Sequence, residues 1–125
     1  MSIKSPEEFM RIYENAANSG DFDAVAPLVS EDAVFWFSNG SYTGVRNIKL
    51  AFEKTWSTIR DEEYSIRDLK WLHKGVDCAV CIYGFVSKGT IDGKVSEFAG
   101  RGTNVLKKIN DSWKLIHEHL SLGEQ

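Results

Sequence analysis

The chain has 125 residues, a length that suits one domain with one hydrophobic core. Hydrophobic residues make up 42% and charged residues 26%, which is typical of a globular chain and not of a disordered one. The net charge of −3 argues against nucleic acid as a partner, because phosphates need a basic surface. The sequence has no long apolar run and no apolar signal core at its N-terminus, so we expect a cytoplasmic protein without a membrane partner.

The first third of the chain predicts two helices. Ser5 is a candidate N-cap, Pro6 occupies the first helical position, and Glu8 completes a capping box. Asp21 can cap a second, short helix, which should end near Pro27 because proline disfavours helix at the residue before it.

A short strand and a third helix should come next. The strand is AVFWF at 33–37, and the Asn-Gly pair at 39–40 predicts a tight turn with a return at Tyr42 and Thr43. Thr43 or Gly44 would then cap a helix whose apolar residues recur at helical spacing. These residues are Val45, Ile48, Phe52, Trp56 and Ile59.

From about residue 62 the hydrophobic period changes to two, which predicts four long strands. They cover 63–74, 77–88, 94–109 and 112–121. Because the connections are short, the strands should form an antiparallel meander. The prediction is therefore an α+β domain over 1–125, with a strongly curved antiparallel sheet packed against three helices. Such a cone leaves a concave, mostly apolar cavity of the kind that binds small molecules.

Two cysteines, Cys78 and Cys81, have the spacing of a C-x-x-C motif. Residues three apart in a strand point to opposite faces, so we interpret them as buried structural thiols and not as a redox or zinc site.

The register of the last hairpin decides which side chains share a face. If the turn covers 110–112, the opposed pairs are Val105 with His117, Thr103 with His119, and Arg101 with Ser121. If the loop is only Asn110 and Asp111, the histidines lie opposite Asn104 instead. A slip of one residue moves every side chain to the other face, and no glycine fixes this turn.

In the first register, Arg101, Thr103, His117 and His119 form a polar cluster. Arginine presents a planar fork suited to a carboxylate, and histidine exchanges protons near neutral pH. The cluster could bind an acidic metabolite or transfer a proton, or its members could bond one another or lie in a dimer interface. We expect no metal, because a histidine pair needs a third ligand and nothing places His73 nearby.

Both ends of the chain resemble the nuclear transport factor 2-like superfamily. The opening YENAANSGDFDAVAPLVSEDAVF and the ending GRGTNVLKKINDSWKLIHEHLS are similar to SnoaL-like domains and to the association domain of calcium/calmodulin-dependent protein kinase II. The matching positions are 18–21, 32–34, Arg101, Thr103, Val105, Trp113, Ile116, His117, His119 and Ser121. Leu120 and Asn104 stand where the kinase domain has arginines, so Arg101 would have to bind an anion alone.

The resemblance implies a cone-shaped, cystatin-like fold and a homodimer formed through the outer sheet face. The superfamily includes isomerases, dehydratases, cyclases, epoxide hydrolases and non-enzymatic binding or assembly domains, and its enzymes often place an aspartate inside the cone. Asp68 is the candidate for that role, with Glu97 as a further carboxylate. The alternative is an exposed strand face, which Arg67 and Lys70 favour.

Aromatic side chains complete the predicted pocket. Trp36 and Tyr83 are candidate lining residues, and Tyr13 is a candidate donor, although each could simply fill the core. We therefore expect a small-molecule-binding protein that needs no cofactor, either an isomerase, cyclase, dehydratase or hydrolase. The alternative is a non-catalytic dimerisation module or a domain that binds an acidic ligand.

Overall fold

The computed structural model of the protein describes residues 2–123, and the predicted helices and strands follow one another in the predicted order. The helices are α1 Pro6–Ala17, α2 Phe22–Val25 and α3 Val45–Thr58, with a 3₁₀ turn at Ala26–Leu28. The strands are β1 Val29–Phe37, β2 Gly40–Thr43, β3 Arg60–Lys74, β4 Cys78–Ile91, β5 Lys94–Ile109 and β6 Ser112–Leu122.

The helix starts follow from local capping. Ser5 Oγ accepts a hydrogen bond from the backbone N–H of Glu8 at 3.1 Å, and Asp21 Oδ1 accepts one from Asp23 at 2.9 Å. Gly44, with a φ of 84°, precedes α3 and caps it without a side chain. No helix within residues 2–123 is long and apolar enough to cross a bilayer.

The six strands form one sheet in the order β2-β1-β6-β5-β4-β3. All neighbours are antiparallel except β1 and β6, which run parallel. The predicted meander β3-β4-β5-β6 is antiparallel, and the parallel pairing of β1 with β6 makes the sheet as a whole mixed. Parallel pairing needs a long connection between the two strands, and β2, α3 and strands β3 to β5 lie between β1 and β6 in the chain.

The three helices cover the concave face of this sheet, and the core lies between them. Its fully enclosed side chains include Phe9 and Tyr13 of α1, Phe35 of β1 and Ile48 of α3. Burial of these apolar surfaces is the main stabilising contribution to the fold.

The last hairpin has one of the two possible registers next to its turn and the other register further along the strands. Its loop is Asn110 and Asp111, with φ of 51° and 66°, and Ile109 pairs with Ser112. Asn and Asp tolerate this left-handed conformation better than other residues with a side chain, so a two-residue turn forms without glycine.

A bulge at Ile116 then shifts the pairing by one residue. Leu106 pairs with Leu115, but the next residue, Val105, pairs with His117. An extra residue in one strand moves each later side chain of that strand to the opposite face of the sheet. Leu115 therefore points into the core before the bulge, and Glu118 points into it after the bulge.

Candidate functional site

A cavity of about 260 Å³ lies between the helices and the concave face of the sheet. For scale, an engineered apolar cavity of about 150 Å³ holds benzene. Its lining residues are mostly apolar or aromatic, namely Tyr13, Ala17, Phe37, Ser38, Asn39, Phe52, Thr55, Trp56, Ile59, Glu62, Tyr64, Phe85, Ser87, Phe98, Glu118, Leu120 and Leu122. The exposed residues Ser38, Asn39 and Leu122 mark its open side.

Glu118 lies at the enclosed end of this cavity. Its side chain comes from β6 immediately after the bulge, and the residue is only 2% exposed. Tyr83 Oη lies 3.3 Å from Glu118 Oε1 and 2.9 Å from Asn104 Oδ1, so its proton can be donated to either oxygen. Asn104 in turn contacts Met10 of α1, with its Nδ2 3.7 Å from the sulfur.

Burial raises the pKa of Glu118 to about 7, although hydrogen bonds from Tyr13, Asn104 and Tyr83 favour its ionised form. A carboxyl group with a pKa near neutrality is populated in both protonation states. It can therefore accept a proton from a bound molecule and return it.

Three tyrosines surround the carboxyl group of Glu118. Burial, and then the charge of Glu118, raises the pKa of Tyr13, Tyr64 and Tyr83 well above its usual value. The phenols therefore stay protonated and can donate hydrogen bonds. Phe9 stacks on Tyr13 with ring centroids 5.8 Å apart, which holds the Tyr13 ring in place.

Two glycines of β5 make room for the aromatic rings of β4. A Cβ at Gly102 would lie 2.4 Å from Cζ of Tyr83, and one at Gly100 would lie 2.6 Å from the ring of Phe85. No other residue type allows these rings to lie against the strand, so glycine is required for Tyr83 to reach Glu118.

A second carboxyl group, that of Glu62 on β3, lines the same cavity. Glu62 Oε2 accepts a hydrogen bond of 2.5 Å from Ser87 Oγ, and Ser87 is only 1% exposed. Burial raises the pKa of Glu62, while the bond from Ser87 opposes that shift.

The model of the SnoaL-like domain family matches residues 7–124 of this chain. The chain belongs to the SnoaL-like domain family. None of the curated proteins compared with it matches.

Solved structures share the fold of this SnoaL-like domain at low sequence identity. A nuclear transport factor 2-like superfamily protein from Salmonella enterica serovar Typhimurium is 20% identical, with a TM-score of 0.85, over 94% of this chain and 88% of its own. A protein from Xanthomonas campestris described as a calcium/calmodulin-dependent protein kinase II association domain is 23% identical, with a TM-score of 0.83, over 95% of this chain and 86% of its own. A hexachlorocyclohexane dehydrochlorinase, LinA type 2, is 14% identical, with a TM-score of 0.85, over 96% of this chain and 84% of its own. These likenesses confirm the predicted nuclear transport factor 2-like fold.

The predicted polar cluster of this SnoaL-like domain forms, but on the outer face of the sheet. Thr103 pairs with His119, and Arg101 pairs with Ser121, as in the first register. His117 lies 2.7 Å from the carbonyl of Val34 through its Nδ1. These side chains therefore do not line the cavity, because the bulge at Ile116 turns both histidines outward.

Asp68 and Trp36 lie on the same outer side. A shallow groove there is bordered by exposed Asp68, Lys70, Arg101 and His119 together with half-buried Thr103. The ring of Trp36 is 46% exposed and meets the rings of His117 and His119 at 5.0 and 5.5 Å. An acid bound by Arg101 would therefore lie in this groove and not in the cavity.

The other sequence candidates divide between the two faces. Tyr13 lines the cavity and Tyr83 reaches Glu118, so these two side chains lie where a pocket role requires. Glu97 is exposed and pairs with Lys88 on the neighbouring strand, away from the cavity. Every one of these roles stays a prediction.

The two cysteines are free thiols that point to opposite faces of β4. Cys81 is fully buried and Cys78 half-buried. Burial raises the pKa of Cys81 to about 12, so this thiol stays protonated and packs as a small apolar group. Among residues 2–123, no three His, Cys, Asp or Glu side chains converge as metal ligands.

Sequence reasoning missed Glu118, although the sequence held a signal for it. In the strand WKLIHEHLS, Glu118 lies between two histidines, so it must face the side opposite to theirs. One of the two faces had to enter the cone. The histidines were chosen as candidates because the usual pKa of histidine lies near neutrality. The usual pKa of glutamate is far lower, and only burial brings that of Glu118 near neutrality.

Proposed function

We propose that this protein binds a small, largely apolar molecule in its interior cavity and that Glu118 transfers a proton to or from it. The observation that carries this proposal is a buried carboxyl group with a pKa of about 7 at the enclosed end of an apolar cavity. The reaction would be an isomerisation or an elimination that needs no cofactor.

The surrounding donors suit such a reaction. When a proton leaves carbon beside a carbonyl group, negative charge develops on the carbonyl oxygen. A protonated tyrosine that points at that oxygen stabilises the charge, because buried, preorganised donors act strongly where water is excluded. Tyr13 and Tyr64 are the phenols that line the cavity, and Tyr83 contacts Glu118 itself. The likeness to LinA, described as a dehydrochlorinase, is consistent with a proton-abstracting fold, since dehydrochlorination removes a proton together with chloride.

Hydrogen–deuterium exchange at carbon tests the proposal without knowledge of the natural substrate. The probe is 2-tetralone, an apolar bicyclic ketone, whose exchange in D₂O is followed by proton NMR against a buffer blank. We expect the wild type to accelerate the exchange and Glu118→Gln to lower that acceleration by about 10²–10⁴-fold, the usual contribution of a general acid or base. Wild-type exchange at the blank rate, or an unchanged rate in Glu118→Gln, would contradict the proposal.

The outer-face residues provide the control. His117→Gln with His119→Gln, and separately Asp68→Asn, test the roles that the sequence predicted for these side chains. Because all three lie outside the cavity, we expect exchange within about twofold of the wild-type rate. A loss comparable to that of Glu118→Gln would instead place the chemistry in the outer groove.

We also propose that two copies associate through the outer sheet face. Trp36 and Ile82 expose 46% and 37% of their surface on that face, and association would remove these apolar side chains from water. Trp36→Lys should shift the mass measured by light scattering from dimer to monomer. Leu50→Lys, at an exposed leucine of α3, should leave the mass unchanged. A monomeric wild type would rule out this association.

A further inference from the structure

The pair formed by Glu62 and Ser87 is a second polar site in the cavity. Ser87 lies on β4 opposite Tyr64 of β3, and the hydrogen bond from its hydroxyl occupies one oxygen of Glu62. Among the described residues, no side chain donates to the other oxygen, Oε1, and no lysine, arginine or histidine forms an ion pair with Glu62. Glu62, which is half-buried and lines the cavity, thus keeps one acceptor oxygen for a ligand.

The charge of the lining favours one class of ligand. Within residues 2–123, the side chains that line the cavity include two carboxyl groups, Glu62 and Glu118, and no lysine, arginine or histidine. An anion placed there would lose its hydration and meet only like charge. A cation would meet opposite charge and the faces of aromatic rings such as Trp56, which attract cations.

The two carboxyl groups line the cavity at different depths. The pKa of Tyr64 is raised by burial and then by the charges of both Glu118 and Glu62, so Tyr64 is within electrostatic reach of each. Glu118 is 2% exposed at the enclosed end, whereas Glu62 is half-buried and closer to solvent. A ligand that spans the cavity can therefore react at Glu118 while a second polar group contacts Glu62.

We infer that Glu62, oriented by Ser87, selects an apolar ligand that carries a hydrogen-bond donor, and most strongly an ammonium group, at the end remote from Glu118. The inference rests on the proposed function, because both place the ligand in this cavity. The ligand of the cavity would then be neutral or cationic, and not one of the acidic metabolites that Arg101 suggested.

Three ligands with one bicyclic skeleton test the inference. They are 2-aminotetralin, a cation at pH 7.5, tetralin-2-ol, a neutral donor, and tetralin-2-carboxylate, an anion, and their affinities are measured by isothermal titration calorimetry. We expect the wild type to bind the amine most tightly and the carboxylate at least about tenfold more weakly, since a hydrogen bond to a charged group is stronger than one between neutral groups.

Variants separate Glu62 from Glu118. Glu62→Gln should remove most of the preference for the amine, and Ser87→Ala should weaken it, while Glu118→Gln should retain a clear part of it. Glu97→Gln is the matched control, because it removes the same charge from an exposed position of β5 away from the cavity. We expect it to leave the preference unchanged.

The outcomes decide between the two proposals. Equal affinities of the wild type for amine and carboxylate, a preference that persists fully in Glu62→Gln, or no binding of any tetralin would overturn the inference. The wild-type comparison needs no variant, so it stands even if Glu62→Gln folds poorly. If the wild type prefers the amine but Glu118→Gln exchanges deuterium at the wild-type rate, proton transfer by Glu118 is refuted. The proposed ligand class is supported by the same result.

Discussion

His117 and Glu118 are neighbours in β6 but lie in opposite environments. His117 lies on the outer face against Trp36, beside the groove of Arg101 and His119. Glu118 points into the core, is 2% exposed, and is surrounded by tyrosines and Asn104. The outer face is richer in side chains that usually titrate or bind anions near neutral pH. On the inner face, however, burial raises the pKa of Glu118 to about 7.

The difference shows that burial decides which carboxyl group of this domain has a pKa near neutrality. A side chain on the outer face keeps its hydration. Glu118 loses its hydration, and its charged form is disfavoured until its pKa reaches about 7. Four sets of substitutions test this comparison.

The largest expected difference is in packing, on adjacent residues of β1. Phe35 is fully buried against Phe37 and Phe52, whereas Trp36 is 46% exposed. Phe35→Ala should lower the free energy of unfolding by about 3–5 kcal/mol, since it leaves a cavity in the core. Trp36→Ala should cost about 1 kcal/mol. Urea unfolding at several protein concentrations measures both, and similar losses would show that the outer face is as tightly packed as the core.

The next effect is on the pH dependence of stability. Because the pKa of Glu118 is raised from 4.5 to about 7 in the folded state, its protonation stabilises the fold fully below pH 4.5. That contribution is lost as pH rises to about 7, and the loss amounts to roughly 3 kcal/mol.

Urea unfolding from pH 4.5 to 8 measures this loss as the difference between the wild type and Glu118→Gln. Glutamine does not titrate, so the stability of this variant should fall less with rising pH. His119→Gln, on the outer face, should follow the wild type. Parallel curves for the wild type and Glu118→Gln would show that Glu118 has an ordinary pKa.

A smaller effect is expected at Gly102 and its neighbour Arg101. Gly102→Ala places a methyl group against the ring of Tyr83, and such overpacking costs about 1–3 kcal/mol. Arg101→Ala, on the exposed face, should change the stability by no more than about 0.5 kcal/mol. Thermal unfolding measures both. If Gly102→Ala proved neutral, the ring of Tyr83 would have room to move away from Glu118.

The smallest effect distinguishes the two histidines. His117 bonds the carbonyl of Val34 at 2.7 Å and so links β6 to β1, whereas His119 has no such bond among the described residues. His117→Ala should therefore cost about 1 kcal/mol, and His119→Ala about half of that or less. Equal losses in urea unfolding would mean that the bond contributes nothing and that both side chains act only through Trp36.

Much of the fold could be predicted because its signals are local. The caps at Ser5 and Asp21, the Asn-Gly turn and the alternation of the long strands each depend on nearby residues alone. The parallel pairing of β1 with β6 could not be predicted in this way, since it joins strands that are far apart in the chain. Tyr13, which lines the cavity, and Tyr83, which contacts Glu118, were found as aromatic candidates, but Glu118 was not.

The sequence by itself determined the family, the order of elements and the fact that Glu118 and its flanking histidines face opposite sides of one strand. Only the tertiary structure decided which side is the interior. The reason is that the register is set twice. The two-residue turn at Asn110 and Asp111 pairs Ile109 with Ser112, and the bulge at Ile116 then shifts the pairing by one residue. Bulges have no strong sequence signal, because they depend on how neighbouring strands and the packed helices fit together. The same displacement of one residue that places His117 on the outer face puts the buried carboxyl group of Glu118 at the end of the cavity.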